Sequence, residues 1–226
     1  MHLNSIAISE LINRHLPFYD RRIDLIVLTH PQADHFGGLA AVLGEYEVGS
    51  VMTNGVAPDS DAYGEWRSAL DEANVAQLIA SRGQSIDLGD GAALTVIGPV
   101  AIDGDEINDT SIVLRLTHGD TSFLLTGDIT ADAEQDLLRA GTDLESDVLK
   151  VAHHGSRTST SPAFLARTAP TIDVISVGAT NSFGHPTADV LDRLADDLIL
   201  RTDLHGDITI ETDGDQIWIQ TQREPE

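Results

Sequence analysis

The chain has 226 residues, a formal net charge of −24, no cysteine and a single lysine, Lys150, beside twelve arginines. Disulfides and thiolate ligands are therefore excluded, which leaves His, Asp and Glu as the strong metal ligands. A surface this acidic repels phosphodiester backbones and argues against tight nucleic-acid binding through charge, although a bound dication would invert the field locally. The length suits one domain, 1–226, with a full core. No uncharged apolar stretch reaches the roughly 20 residues of a membrane helix, and the N-terminus lacks the regions of a signal peptide, so the chain as written reads as soluble, not exported by itself and cytoplasmic by default.

In chain order, a helix is expected over 9–15. Ile23, Leu25, Ile26, Val27 and Leu28 then form an apolar run read as a buried strand over 23–28. Helices follow over 38–46 and 61–82, on either side of a strand over 49–53. Strands are expected over 94–97, 112–117 and 122–125, with a helix over 131–140. Further strands over 148–151, 174–177 and 198–201 alternate with helices over 162–167 and 187–196. Two last strands, 208–211 and 217–220, close the chain. Glycine-bearing turns at 118–120 and 213–215 read as hairpins, and 58–63 and 100–108 as loops. Short consecutive strands mixed with isolated helices predict an α/β (α+β) chain, two sheets face to face with helices outside, an αββα sandwich.

Chemistry gathers where strands end. Straight after Leu28 come Thr29, His30, Pro31, Gln32, Ala33, Asp34, His35, Phe36, Gly37 and Gly38. A turn of this kind can aim His30, Asp34 and His35 at one point, which is what imidazole and carboxylate ligands need around a dication. A dense polar cluster buried in a turn would otherwise be poorly satisfied. The strand over 122–125 ends in Thr126, Gly127 and Asp128. The strand over 148–151 leads into His153, His154 and Gly155, and the strand over 174–177 into the loop of Asn181, Ser182, Phe183, Gly184, His185 and Pro186. Four apolar strands each deliver His or Asp at the C-terminal end. Adjacent residues of a strand point to opposite sides, so one of His153 and His154 is expected to bind metal, His154 being the choice, and the other to face substrate. His185 is read as a substrate or leaving-group contact, and Lys150 as a phosphate contact. His118 and His205, beside hairpin glycines, are expected to be solvated.

The segment from His30 to His35 resembles the His-x-His-x-Asp-His signature of the metallo-β-lactamase fold, with Gln32 where the family has a second His or an Asp. Asn108 to Leu116, Leu124 to Asp128, Leu149 to Ser156, then Gly184-His185-Pro186 and Arg201-Thr202-Asp203 look like the C-terminal hydrolase domain of ComEC-type DNA-uptake proteins. The resemblance runs from about Asp24 to Trp218. It implies that Asp128 bridges metals, that His30, Asp34, His35, Asp128 and His154 hold one or two divalent ions, Zn or Mn, and that Asn108 and Ser111 line the cleft. An amide oxygen is a weak Zn²⁺ ligand, so Gln32 weakens the first site. The family's usual opening strands have no counterpart in the sequence, where the expected helix over 9–15 stands instead.

The implied function is metal-dependent hydrolysis of a phosphodiester by a metal-activated water, with Asp34 orienting the water and His185 serving the leaving group. The substrate would be single-stranded DNA, and the partner a membrane channel domain encoded upstream, which would place the chain at the membrane's outer face. Two other readings stand beside it. One is a metallohydrolase of small esters, lactones or phosphoesters; the other is a degenerate, non-catalytic domain.

Overall fold

The computed structural model describes residues 5–102 and 106–224, so 103–105, in the middle of the expected 100–108 loop, lie outside the described residues. The chain divides into two compact units, 1–80 and 81–226. Mixed α/β structure is found throughout, as expected. No helix among the described residues is long and apolar enough to cross a membrane.

The first unit runs α1 (Ser5–His15), β1 (Arg22–Leu28), α2 (Ala33–Phe36), α3 (Leu39–Glu45), β2 (Glu47–Thr53), α4 (Asp61–Glu72) and β3 (Ala76–Ile79), with β1, β2 and β3 adjacent and parallel. Its core joins Leu28, Phe36, Val51, Tyr63, Trp66 and Leu70. The expected helix over 61–82 stops ten residues early and its tail is the strand β3. The cause is local: Asn74 takes φ +51°, its N–H reaches Asp71 O, and Val75 N–H reaches Leu70 O at 3.3 Å. That double closure is a Schellman stop, reinforced by Val75 packing on the same cluster as Leu70. β3 escapes an alternation-based reading because all four of its residues are exposed.

In the second unit seven strands lie in the order β10-β9-β8-β7-β6-β5-β4. These are β4 (Ser85–Gly89), β5 (Ala92–Gly98), β6 (Val113–His118), β7 (Thr121–Leu125), β8 (Val148–Lys150), β9 (Ile172–Ile175) and β10 (Leu198–Arg201). From β4 to β7 the pairs are antiparallel; from β7 to β10 they are parallel. β4 is an addition to the expected set, missed because it too is mostly exposed. Helices α5 (Ala131–Arg139), α6 (Pro162–Thr168) and α7 (Ala188–Arg193) bring Leu137, Phe164 and Val190 against Leu124, Leu149 and Ile175 on one sheet face. The hairpin β11 (Ile208–Thr212) and β12 (Ile217–Thr221) lays Ile208, Ile210, Ile217 and Ile219 against Phe123, Val148 and Ile172 on the other.

Two expectations on histidines and turns change. His205, in the short helix α8 (Thr202–His205), is buried, with Nδ1 2.9 Å from both the N and the O of Arg201; the single helical turn folds its ring back over the strand end. It is a structural histidine rather than a solvated one. His118 is half-buried.

Two buried carboxylates make the second unit's stability testable. Glu134, fully buried on α5, accepts the N–H groups of Thr160 and Ser161, while Arg193 Nη1 donates to Ser159 O and Thr160 O, each at 3.1 Å. Glu134→Ala removes the acceptor for two buried amides and the counter-charge for Arg193. It should cost about 3 kcal/mol in urea unfolding at unchanged m-value, whereas a cost below about 0.5 kcal/mol would show the network is idle. Asp173, on β9 and fully buried, has its pKa pushed up to about 8 by burial and by the neighbouring Asp197 charge. The unfolded carboxyl ionises near 4, so between about pH 4 and 8 the folded chain holds the extra proton and stability falls as pH rises. Asp173→Asn should therefore gain over wild type in Tm by at least about 3 °C on going from pH 5 to 8.5; a pH-independent gap contradicts the assignment.

Candidate metal centre

In the first unit, β1 ends at Leu28 and the chain turns at once: Gln32 N–H returns to His30 O at 3.0 Å, and Gln32 O accepts from His35 N and Phe36 N. This starts the single-turn helix α2, which carries Asp34 in its first turn and His35 in its last. Phe36 is the anchor, buried with its ring edge-on to Tyr63 at 5.7 Å. A β-carbon at Gly37 would lie 2.6 Å from Ala33 O, so the tight exit from this turn requires glycine. His30 is fully buried, its ring 4.1 Å from that of His35, and its Nδ1 sits 3.1 Å from Thr29 Oγ1. His35 Nε2 is 3.9 Å from Asp34 Oδ2. One strand end and one helical turn thus set the His30 and His35 rings side by side and put Asp34 next to His35.

In the second unit, the parallel strands β7, β8 and β9 end side by side and their turns are tied across. Thr126 Oγ1 donates to Lys150 O at 2.6 Å, and His153 N–H donates to Gly127 O at 3.2 Å. Asp128 lies 2% exposed, its backbone N–H donating to Ser111 Oγ. His154 Nε2 is 3.2 Å from Asp128 Oδ2, and His154 Nδ1 is 2.7 Å from Ser176 O.

These distances define the imidazole's chemistry. A carbonyl only accepts, so Nδ1 carries the proton and Nε2 of the neutral ring presents a lone pair toward a carboxylate oxygen. Two lone-pair donors at that distance repel unless a proton or a cation lies between them. Burial opposes a charged ring, but the hydrogen bond and charge of Asp128, with the Ser176 carbonyl, outweigh it and hold the His154 pKa above the ordinary histidine value. The donor set fits a divalent ion: carboxylate, plus an imidazole oriented through its other nitrogen.

The His-His segment differs from expectation in its backbone. His153 and His154 do not alternate across a strand; they follow β8 in a tight turn and both adopt left-handed conformations, φ +49° and +56°. Two consecutive residues of this kind cost about 1–2 kcal/mol each, and Ser159 Oγ, bonded to Ala152 O and Ser156 O, helps hold them. The turn points His154 at Asp128 and leaves His153 beside His185, ring centroids 5.9 Å apart. Gly155, φ +80°, leaves only enough space for Pro186, which a β-carbon there would meet at 2.6 Å. Thr187 N–H donates to Gly155 O, so the Gly184-His185-Pro186 loop is docked on the His-His turn.

Asn181 braces that loop: its Nδ2 donates to Gly178 O and His185 O, and its Oδ1 accepts His185 N–H at 3.0 Å. Burial first, then the charges of His153 and His154, lower the His185 pKa, against an opposing Asp128. Lys150 donates from Nζ to Val151 O, and burial lowers its pKa against the pull of Asp128. Asn108 is buried in a short 3-10 turn, 107–110. Ser176, Thr29 and Asn181 were missed from the sequence. A backbone carbonyl carries no sequence signal, and Asn181, four residues before His185, could have been found only as a loop-bracing Asx.

The profile of the Metallo-beta-lactamase superfamily matches residues 18–179. ComE operon protein 3 of Bacillus subtilis is 33% identical over 191 residues, 83% of this chain and 24% of that protein. Competence protein ComA of Neisseria gonorrhoeae is 34% identical over 190 residues, 82% of this chain and 25% of that protein. The chain thus spans about a quarter of the length of these curated relatives. Among solved structures, the metallo hydrolase Igni18 of Ignicoccus hospitalis is similar in fold, with a TM-score of 0.50 at 12% identity over 87% of this chain and 79% of that one. Strand ends bearing His30, Asp34 and His35 in one unit and Asp128 and His154 in the other, with a matching profile over most of the sequence, give the conclusion that the chain belongs to the metallo-beta-lactamase superfamily.

Proposed function

We propose that the chain is a metal-dependent phosphodiesterase acting on single-stranded DNA. The observation that carries the metal part is the pairing of His154 Nε2 with Asp128 Oδ2 at 3.2 Å, with the ring's other nitrogen committed to Ser176 O. Support for the substrate is the likeness to a protein named for competence. One or two ions, Zn²⁺ or Mn²⁺, would be held by His30, Asp34 and His35 and by Asp128 and His154. Such an ion supplies a water activated near neutral pH and a Lewis acid for the phosphoryl oxygen.

The chain's own groups take the remaining roles. Asp34 orients the attacking water through its carboxylate. His185, whose pKa is held low, is neutral at pH 7 and donates a hydrogen bond to the leaving oxygen through a ring N–H. His153, beside His185, faces the substrate, and Lys150, its Nζ bonded to Val151 O beneath the His-His turn, is the candidate phosphate contact. Buried Asn108 shapes the floor, and Ser111 fixes Asp128 through its backbone N–H. A membrane channel domain that delivers the strand would be the partner of such a hydrolase. The net charge of −24 favours a second reading, a hydrolase of small esters or phosphoesters needing no extended nucleic-acid contact.

The purified chain should contain near-stoichiometric metal by elemental analysis and should cleave single-stranded DNA with added Mn²⁺. His35→Ala and Asp128→Asn should each lose most of the metal and lower cleavage by at least about 100-fold. Metal retained in both variants, or wild type that is folded yet inert toward DNA and small phosphodiesters alike, would overturn the reading. Gln32→His replaces an amide oxygen with an imidazole, the better Zn²⁺ donor. It should raise the zinc bound per chain or tighten its Kd about tenfold in calorimetric titration, and unchanged binding would remove residue 32 from the ligand set.

A further inference from the structure

Phe183 is the feature of the second unit that the proposed chemistry leaves unused. It stands at the tip of the loop between β9 and α7, 71% exposed, and its ring lies nearly parallel to that of His185, 17° between planes and 5.9 Å between centroids. A single exposed apolar side chain ordinarily needs no explanation. Here the loop is not slack. Asn181 closes it with three hydrogen bonds, Gly178 O and His185 serving as its partners, and Pro186 is seated on Gly155. The aromatic ring is therefore presented on a braced support, offset from the His185 ring, with its outer face open.

Charge makes such a surface consequential. Proteins that hold single-stranded nucleic acid combine a cationic track along the backbone with aromatic rings under the bases. The cationic half is weak here. In the second unit, Arg82, Arg115, Arg139, Arg193 and Arg201 are each bonded to groups of the chain itself, and the Lys150 ammonium is bonded to Val151 O. Arg157, exposed, lies in the turn after His154. Against a net charge of −24, affinity for a strand is aided by contacts that charge does not supply, and a flat apolar face beside His185 and His153 is suited to a nucleobase.

We propose that Phe183 is the stacking platform for a nucleobase next to the scissile phosphodiester, held against the open face of a ring that His185 backs. This rests on the nuclease reading and sharpens it, because it makes the site select phosphodiesters that carry bases over those that do not. Phe183 would set KM and selectivity, while bond cleavage stays with the other groups.

The test uses the purified chain with Mn²⁺ and two single-stranded oligonucleotides of equal length, one with bases throughout and one with abasic sugars around the cleavage position. Wild type should favour the base-bearing strand in KM, and Phe183→Ala should collapse that preference about tenfold, with Phe183→Tyr restoring it. A preference identical in wild type and Phe183→Ala overturns the proposal, as does a Tyr variant that behaves like Ala. Equal melting temperatures for the three proteins separate the effect from misfolding. Should wild type cleave neither strand, the nuclease reading fails by itself. Stacking is then decided by fluorescence of a strand containing 2-aminopurine: quenching on binding that Phe183→Ala abolishes supports the platform, and no quenching, or quenching that the variant retains, refutes it.

Discussion

The second unit's chemistry depends on the register of three parallel strands. Phe123 pairs with Val148 and Leu125 with Lys150, while Lys150 pairs with Val174, so β7, β8 and β9 end level with one another. Asp128, His154 and Ser176 each follow one of these ends. Because side chains alternate along a strand, a slip of β8 by one residue against β7 would turn Leu149 out of the core it shares with Leu124, so apolar burial enforces the alignment that the ligand groups need. The cross-ties from Thr126 to Lys150 O and from His153 to Gly127 O then carry that alignment past the strand ends into the turns. Open sheets with parallel strands place their chemistry at these carboxyl ends for the same reason: the loops there are free to vary while the strands beneath are not.

Strain is concentrated beside the chemistry. Two consecutive histidines in left-handed conformations are unfavourable, and the surrounding structure holds them rather than the local sequence. Glu134 and Arg193 fasten the loop 159–161 from two sides, and Pro186 fills the space over Gly155. Residues with no reactive role thus keep His154 facing Asp128. The buried Asp173 has a different character: a carboxyl kept protonated to about pH 8 by burial and the neighbouring Asp197 adds pH dependence to stability.

Elements with strong periodicity and buried faces were legible from sequence. β1, β7, β8 and β10 stand within two residues of their expected bounds, since apolar runs bounded by polar turns admit few other readings. β3 and β4 were not legible because their residues are largely exposed and obey no inside-outside alternation. The end of α4 was hidden in Asn74, whose left-handed conformation is confirmed only by the bonds it closes. His205 looked like a hairpin histidine until Arg201 supplied both of its partners.

Residue type and spacing alone determined that this chain carries residues of metal-ligand type at strand ends. Histidine and carboxylate are the only strong donors in a cysteine-free sequence, and His30, Asp34 and His35 are close enough along the chain for one turn to gather them. Only tertiary structure decided between His153 and His154 as the partner of Asp128. That choice depends on a left-handed turn and on a carbonyl 22 residues away, at Ser176. Local sequence encodes which groups can react. The tautomer a ring adopts, and the neighbour it faces, depend on strands brought together by the burial of their apolar faces, and pairing of that range has no signature in the residues it aligns.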